Sequence, residues 1–193
     1  MLAAVILSGG ASRRMGFPKA LLPYRGGTFL EHLLKATEDA RIGVRKVVLG
    51  ADAAKIAQAA GLREDEMVVN AEWERGQLSS IQAGIRALPT GTDGILLWPV
   101  DHALVSAELV AGLIGRFYES GAAVVLPTFG GRRGHPVIFA ERLYGELLEA
   151  PEETGARAVV WAHAGEVVEL ETKEEGCVLN LNDAETYRKF VSE

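Results

Sequence analysis

The stretch Ala3–Lys19, AAVILSGGASRRMGFPK, decides how the chain is read. Ala3, Ala4, Val5, Ile6 and Leu7 form an uninterrupted apolar run bounded by Gly9-Gly10. A parallel strand covered on both faces has this pattern, so the run predicts a strand at the centre of a sheet. Gly9 and Gly10 can take positive φ and carry no Cβ. Their amides can therefore approach a ligand closely, and successive amides in a turn form an anion nest. Arg13, Arg14 and Lys19 bring three cations to the same loop. Lysine is a compact point charge suited to a phosphate, whereas an arginine fork grips two oxygens at once. Together these residues describe a triphosphate site; the alternative is a glycine-rich turn whose cations are merely solvated.

Two familiar phosphate loops do not fit the spacing. A P-loop needs Gly, four residues and then Gly-Lys-Ser/Thr. Here five residues separate Gly10 from Gly16, and Phe17-Pro18 follow. The dinucleotide fingerprint G-x-G-x-x-G must open a helix directly, and Gly9-Gly10 with Pro18 soon after does not supply it.

Composition narrows the function. With 193 residues, 48% of them hydrophobic, the chain can bury a full core and most naturally forms one domain, 1–193. A net charge of −6, from 26 acids against 20 bases, disfavours broad nucleic-acid binding. Bases gathered at loops, as in Arg13-Arg14 and Arg132-Arg133, instead suit a small anion. The single Cys177 excludes an internal disulfide and a cysteine metal site, and reads as a small buried hydrophobe. Met1–Leu7 lacks a basic leader and no apolar run reaches membrane-span length, so a cytoplasmic chain with no membrane partner is expected.

Along the chain, Thr28 and Glu31 form a capping box ahead of a helix over 28–41. Val44–Ala51 predicts a second parallel strand, Ala53–Ala60 a helix closed by Gly61, and Met67–Val69 a third strand. This β-α-β-α-β order implies a parallel sheet. Ser79 and Ser80 stand where an N-cap belongs before a helix carrying Ile81, Ile85 and Leu88, a role compatible with ligand contact. Trp73 by itself suits the core better than a base platform. Gly94–Val100 is a further strand, and Asp101 just past its end lies where open α/β sheets bind ligands. Magnesium takes one or two protein carboxylates and completes its shell with phosphates and water, so Asp101 is the metal candidate; otherwise it caps or turns the strand end. His102 reads as a solvated loop residue. A helix follows over 106–120 with Ser106 as N-cap and Gly121 as stop, then strands at Ala122–Leu126 and Val137–Ala140. Helices are expected over 143–148, 156–164 and 184–191, with strands at Val167–Leu170 and Cys177–Leu181.

Five ordered segments resemble the molybdenum-cofactor nucleotidyltransferases, within the wider glycosyltransferase-A-like nucleotidyltransferases. They are L-x-G-G-x-S-x-R-M-G-x-x-K over 7–19, N-x-x-W-x-x-G-x-x-S-S over 70–80, Asp101 after its strand, Gly134-His135-Pro136, and Asn180-Leu-Asn182-Asp-Ala-Glu. The resemblance implies an α/β fold, a single-domain three-layer α/β/α sandwich with a mostly parallel sheet. It further implies transfer of a nucleoside monophosphate from a nucleoside triphosphate to a phosphorylated acceptor, with release of pyrophosphate. In the family the acceptor is molybdopterin, the nucleoside cytidine or guanosine, and a molybdoenzyme or its chaperone would receive the product. The matches of longer extent lean to cytidylyl transfer, while Leu7-Ser8-Gly9-Gly10 looks guanylyl-like. The implied nucleotide contacts are Leu7, Ser8, Gly9, Gly10, Arg13, Lys19, Asn70, Gly76, Ser79 and Ser80. Lys19, Arg14 and Asp101 would carry catalysis. Asp101 would hold Mg2+ with Asn180 or Asn182, and Arg132, Arg133, His135 and Arg157 would bind the acceptor. The chain departs from the family in having Ala103 for proline and asparagine at both 180 and 182. A sugar-phosphate nucleotidyltransferase and a nucleotide-binding accessory protein without turnover remain the alternatives.

Overall fold

The computed structural model describes residues 1–12 and 15–191, so Arg13 and Arg14 lie outside the described residues. Strand β1, Leu2–Ser8, is buried along its whole length. A two-stranded hairpin, β2 (Pro23–Tyr24) and β3 (Gly27–Thr28), leads into helix α1 (Phe29–Asp39). β4 (Val44–Leu49), α2 (Ala53–Ala59), β5 (Met67–Val69), α3 (Gln77–Arg86) and β6 (Gly94–Pro99) follow. The remainder is α4 (Ala107–Ser120), β7 (Val124–Phe129), β8 (Arg132–Arg133), β9 (Val137–Ala140), α5 (Tyr144–Glu149), α6 (Ala156–Ala162), β10 (Val167–Glu171) and α7 (Ala184–Val191).

The main sheet has the order β10-β7-β9-β6-β1-β4-β5, with β8 added on β7. β4 and β6 flank β1 in parallel, β5 runs parallel to β4, and β10 parallel to β7. β9 is antiparallel to both β6 and β7. The reason is length: the few residues between β7 and β9 make a turn through β8, whereas a parallel return needs a crossover of a dozen residues or more. The sheet is mixed and mostly parallel, in a single domain.

Alternation along the central strand divides the core. Leu2, Ala4 and Ile6 pack with Phe29, Leu30 and Leu33 of α1, Ile56 of α2 and Leu109, Leu113 and Phe117 of α4. Val5 and Leu7 face the other way, to Ile81 and Ile85 of α3, Leu147 of α5 and Val159 of α6. Successive side chains of a strand point to opposite faces, so an all-apolar β1 needs a helical layer on each side, and the three-layer α/β/α sandwich provides them. The caps predicted for α1 and α4 form. Thr28 N donates to Glu31 Oε2 (2.7 Å) while Glu31 N donates to Thr28 Oγ1 (3.3 Å), and Leu109 N donates to Ser106 Oγ (3.1 Å).

Two expectations are corrected. The segment 177–181 is no strand: Glu175–Val178 is a 3-10 turn, and Cys177 and Leu181 are apolar because both are fully buried, not because they join a ladder. Ser79 and Ser80 do not cap α3 either. Gly76 stands at that position, and the two serines lie inside the first helical turn.

Candidate functional site

The strand order reverses direction at β1, since β4 and β5 lie to one side and β6 to the other. Ligands of open α/β sheets bind beyond the carboxyl ends of the strands at such a switch point. Here the ends of β1 and β6 are in register, Leu7 opposite Pro99, and a cleft of about 710 Å³ opens above them.

Leu7, Ser8, Gly9 and Gly10 form its floor. Val100 N donates to Leu7 O (3.0 Å) and Ala51 N to Gly9 O (3.1 Å), which ties the loop to both neighbouring strand ends. Gly9 and Gly10 do not use the left-handed region open to them; Ser12 (φ 48°) and Gly16 (φ 65°) do. What glycine provides at position 9 is close approach, because a Cβ there would lie 2.8 Å from Ser80 Oγ. Ser12 Oγ accepts from Lys19 N (3.1 Å) and Ser12 O from Met15 N (2.9 Å), so one serine folds the loop back and sets the root of Lys19.

One wall is Trp73, Gly76 and Ser80. Trp73 borders the cleft, half-buried, and packs close against the chain at Gly50. Ser80 Oγ accepts from Asn70 Nδ2 (3.1 Å). Asn70 and Ser79 stand behind this wall rather than on it. Asn70 Nδ2 also donates to Ser79 Oγ (2.9 Å), Asn70 Oδ1 accepts from Glu72 N (3.0 Å), and the Ser79 hydroxyl proton is shared between the carbonyls of Gly76 (2.8 Å) and Glu72 (3.0 Å). Their hydrogen bonds hold the start of α3 in place and leave nothing facing the cleft.

The opposite wall carries the charge. Lys19 Nζ lies 3.3 Å from Asp101 Oδ2 and hydrogen-bonds Asn182 Oδ1, all three groups bordering the cleft. Asn182 reaches this place because Asp183 takes the cap of α7, Thr186 N donating to Asp183 Oδ1 (2.8 Å), and because Leu181 N donates to Asp101 O (2.9 Å). Asn180 is exposed and does not border the cleft. Among the described residues no cluster of three or more His, Cys, Asp or Glu could hold a metal unaided. The oxygens that converge are one carboxylate and one amide, a hard-donor pair already gripping a cation in the form of the Lys19 ammonium.

Behind Asp101 the expectation of a solvated His102 is overturned. His102 is only 8% exposed, its ring centroid 4.5 Å from that of His135, and Trp98 Nε1 donates to its carbonyl (2.9 Å). Burial pushes both imidazoles down, His135 to about 3, so both are neutral. Neither Nδ1 has a hydrogen-bond partner. His135 is fixed by its own amide, which donates to Cys177 O (2.8 Å). Burial lifts the Cys177 thiol to about 11, which leaves it inert. Arg157 is exposed and close enough to depress His135. Arg132 and Arg133 are exposed on β8, where Arg133 pairs with Glu169 (2.8 Å). None of the four acceptor candidates borders the cleft. Ser12, Ile56, Glu74 and Gln77 do; Ser12 is a fixed position of the first motif, Glu74 and Gln77 fill open positions of the second, and nothing local marks Ile56.

Against known proteins, residues 4–167 match the MobA-like NTP transferase domain. The chain belongs to this family. By class the MobA-like domain is a nucleotidyltransferase, and two curated relatives frame it. A molybdenum cofactor guanylyltransferase of Acidiphilium cryptum (strain JF-5) is 33% identical over 178 residues, 83% of this chain and 84% of that one. A nicotine blue oxidoreductase of Paenarthrobacter nicotinovorans is 35% identical over 140 residues, 69% of this chain and 68% of that one. Among solved structures, Rv0371c of Mycobacterium tuberculosis H37Rv superposes with a TM-score of 0.81 at 25% identity, covering 100% of this chain and 98% of that chain. A second structure of that protein is a complex with manganese. No helix among the described residues is long and apolar enough to cross a membrane.

Proposed function

We propose that this MobA-like chain transfers GMP from GTP to a phosphorylated acceptor, molybdopterin by preference, and releases pyrophosphate. The observation that carries the reading is the meeting of Lys19, Asp101 and Asn182 beside the Gly9-Gly10 loop at the strand switch point. Guanosine, rather than the cytidine to which the longer motif matches lean, is supported by the names of the curated relatives and by Leu7-Ser8-Gly9-Gly10.

The acceptor phosphate oxygen attacks the α-phosphorus, the bond from that phosphorus to the bridging oxygen breaks, and pyrophosphate leaves with the electron pair. Such transfer is catalysed mainly by in-line positioning and charge neutralisation. The acceptor phosphate is anionic at neutral pH, so no protein base is needed. The Gly9-Gly10 segment approaches the triphosphate, Lys19 pairs with its phosphates together with Arg14, and Trp73 borders the nucleoside. Asp101 and Asn182 would hold magnesium or manganese, which supplies charge neutralisation across the phosphates. His135 and Arg157 would meet the acceptor on the Asp101 side.

A pyrophosphate-release screen of the four nucleoside triphosphates against molybdopterin and a set of sugar phosphates tests this. Release with GTP and molybdopterin is expected. Release only with CTP would reassign the base, release only with a sugar phosphate would reassign the acceptor, and no release with any pair would favour an accessory role.

A further inference from the structure

We infer that Lys19 is a placeholder cation, and that the chain admits a divalent metal only together with a triphosphate. The inference rests on the transferase reading for the identity of the two ligands, but its test needs no turnover.

The observation is local. Lys19 Nζ stands between Asp101 Oδ2 (3.3 Å) and Asn182 Oδ1, the two oxygens that a divalent ion would need. The side chains of Lys19 and Asp101 are only 15% and 22% exposed, so water screens the pair weakly. Among the described residues the charges in contact here are one ammonium and one carboxylate, since position 182 is a neutral amide. A free M2+ ion arriving here meets a carboxylate that is already paired and an ammonium at its own coordination position. It must expel the ammonium, whose side-chain partners are Asp101 and Asn182; the other carboxylate lining the cleft, Glu74, makes no contact with Lys19.

A metal–triphosphate complex changes every term. Asp101 and Asn182 would hold the metal in place of the ammonium, and Lys19 would pair with the phosphates within the same cleft. Each charge ends paired, which neither ligand achieves by itself. Lys19 thus couples entry of the two ligands in addition to binding phosphate, and asparagine at 182 strengthens that coupling: a second carboxylate there would pull in the metal alone.

The test is calorimetric titration of MnCl2 into the full chain without nucleotide, for the wild type, Lys19→Met, Lys19→Arg and the double variant Lys19→Met/Asp101→Asn. Lys19→Met should bind Mn2+ about tenfold more tightly than wild type or more, because a repelling charge at the coordination position has gone. Lys19→Arg, which keeps the charge, should stay as weak as wild type, and the double variant should lose the gain. Inorganic tripolyphosphate supplies a second measurement on the unaltered chain: wild type should bind the Mn2+–tripolyphosphate complex about tenfold more tightly than either component. Equal Mn2+ affinity in wild type and Lys19→Met overturns the inference, as does wild type binding free Mn2+ as tightly as the complex. A negative pyrophosphate screen alongside the Lys19→Met gain would overturn the transferase reading and support this one.

Discussion

Asp101 is anchored by its backbone, whose carbonyl accepts from Leu181 N (2.9 Å), while its carboxylate faces Lys19. Shape and charge at this position can therefore be separated. Asp101→Asn should keep the fold, with a melting temperature near that of wild type, and lower pyrophosphate release by about a hundredfold or more, the scale of losing one preorganised electrostatic contact. Scanning fluorimetry beside a release assay checks both; full turnover would remove Asp101 from the metal. Gly50 tests packing instead. An added Cβ would sit 2.3 Å from Gly9 O and 2.5 Å from Trp73 Cβ, and neither backbone nor indole root can swing away. Gly50→Ala should cost about 1–3 kcal/mol as overpacking. It should also weaken triphosphate binding by moving Gly9, whereas Gly10→Ala, with nothing within 4 Å, should leave the denaturation midpoint unchanged. Gly9 was legible from the motif. Gly50 was not, because the atoms that exclude a side chain there come from two other segments.

Elements were legible where their ends carry chemistry. Thr28 with Glu31 and Ser106 before Leu109 mark helix starts by residue type and spacing alone, and both form as read. The end of α6 was less legible, because its partners are not all local. His163 Nδ1 is 3.0 Å from Glu166, and His163 Nε2 is 2.9 Å from Glu146 on α5. The hydrogen bonds to Glu166 and then Glu146 raise the His163 pKa, and the bond from His163 lowers that of Glu166. The raised histidine stabilises the fold below its unfolded pKa of about 6.5, and that contribution is lost as pH rises through the folded value. The lowered Glu166 contributes above its unfolded pKa of about 4.3, and loses its contribution as pH falls through its folded value. The cluster therefore stabilises the fold most between these limits. The stability difference between wild type and His163→Gln, read from urea midpoints, should be larger at pH 6 than at pH 8. A difference that does not change with pH would mean that His163 is not charged in the fold.

For the whole molecule, the switch point at β1 makes the cleft a property of the sheet, so ligands filling it should stabilise the entire domain. GTP with magnesium at about a hundred times Kd should raise unfolding free energy by about 2.7 kcal/mol. If Lys19 couples their entry, GTP and magnesium together should raise the melting temperature by more than the sum of the two separate shifts; additive shifts would mean independent sites. The sequence by itself determined the central strand, the glycine loop with Lys19 at its end, the helix phases and the carboxylate past β6. These follow from side-chain period, turn chemistry and capping, which act over a few neighbouring residues. Only the tertiary structure decided that β9 runs antiparallel, that His102 is buried against His135, that Asn70 and Ser79 serve the helix behind the wall, and that Asn182 rather than Asn180 faces Lys19. Each of those depends on groups brought together from distant parts of the chain, and what a polar side chain has left to offer a ligand is known only once its buried partners have claimed their hydrogen bonds.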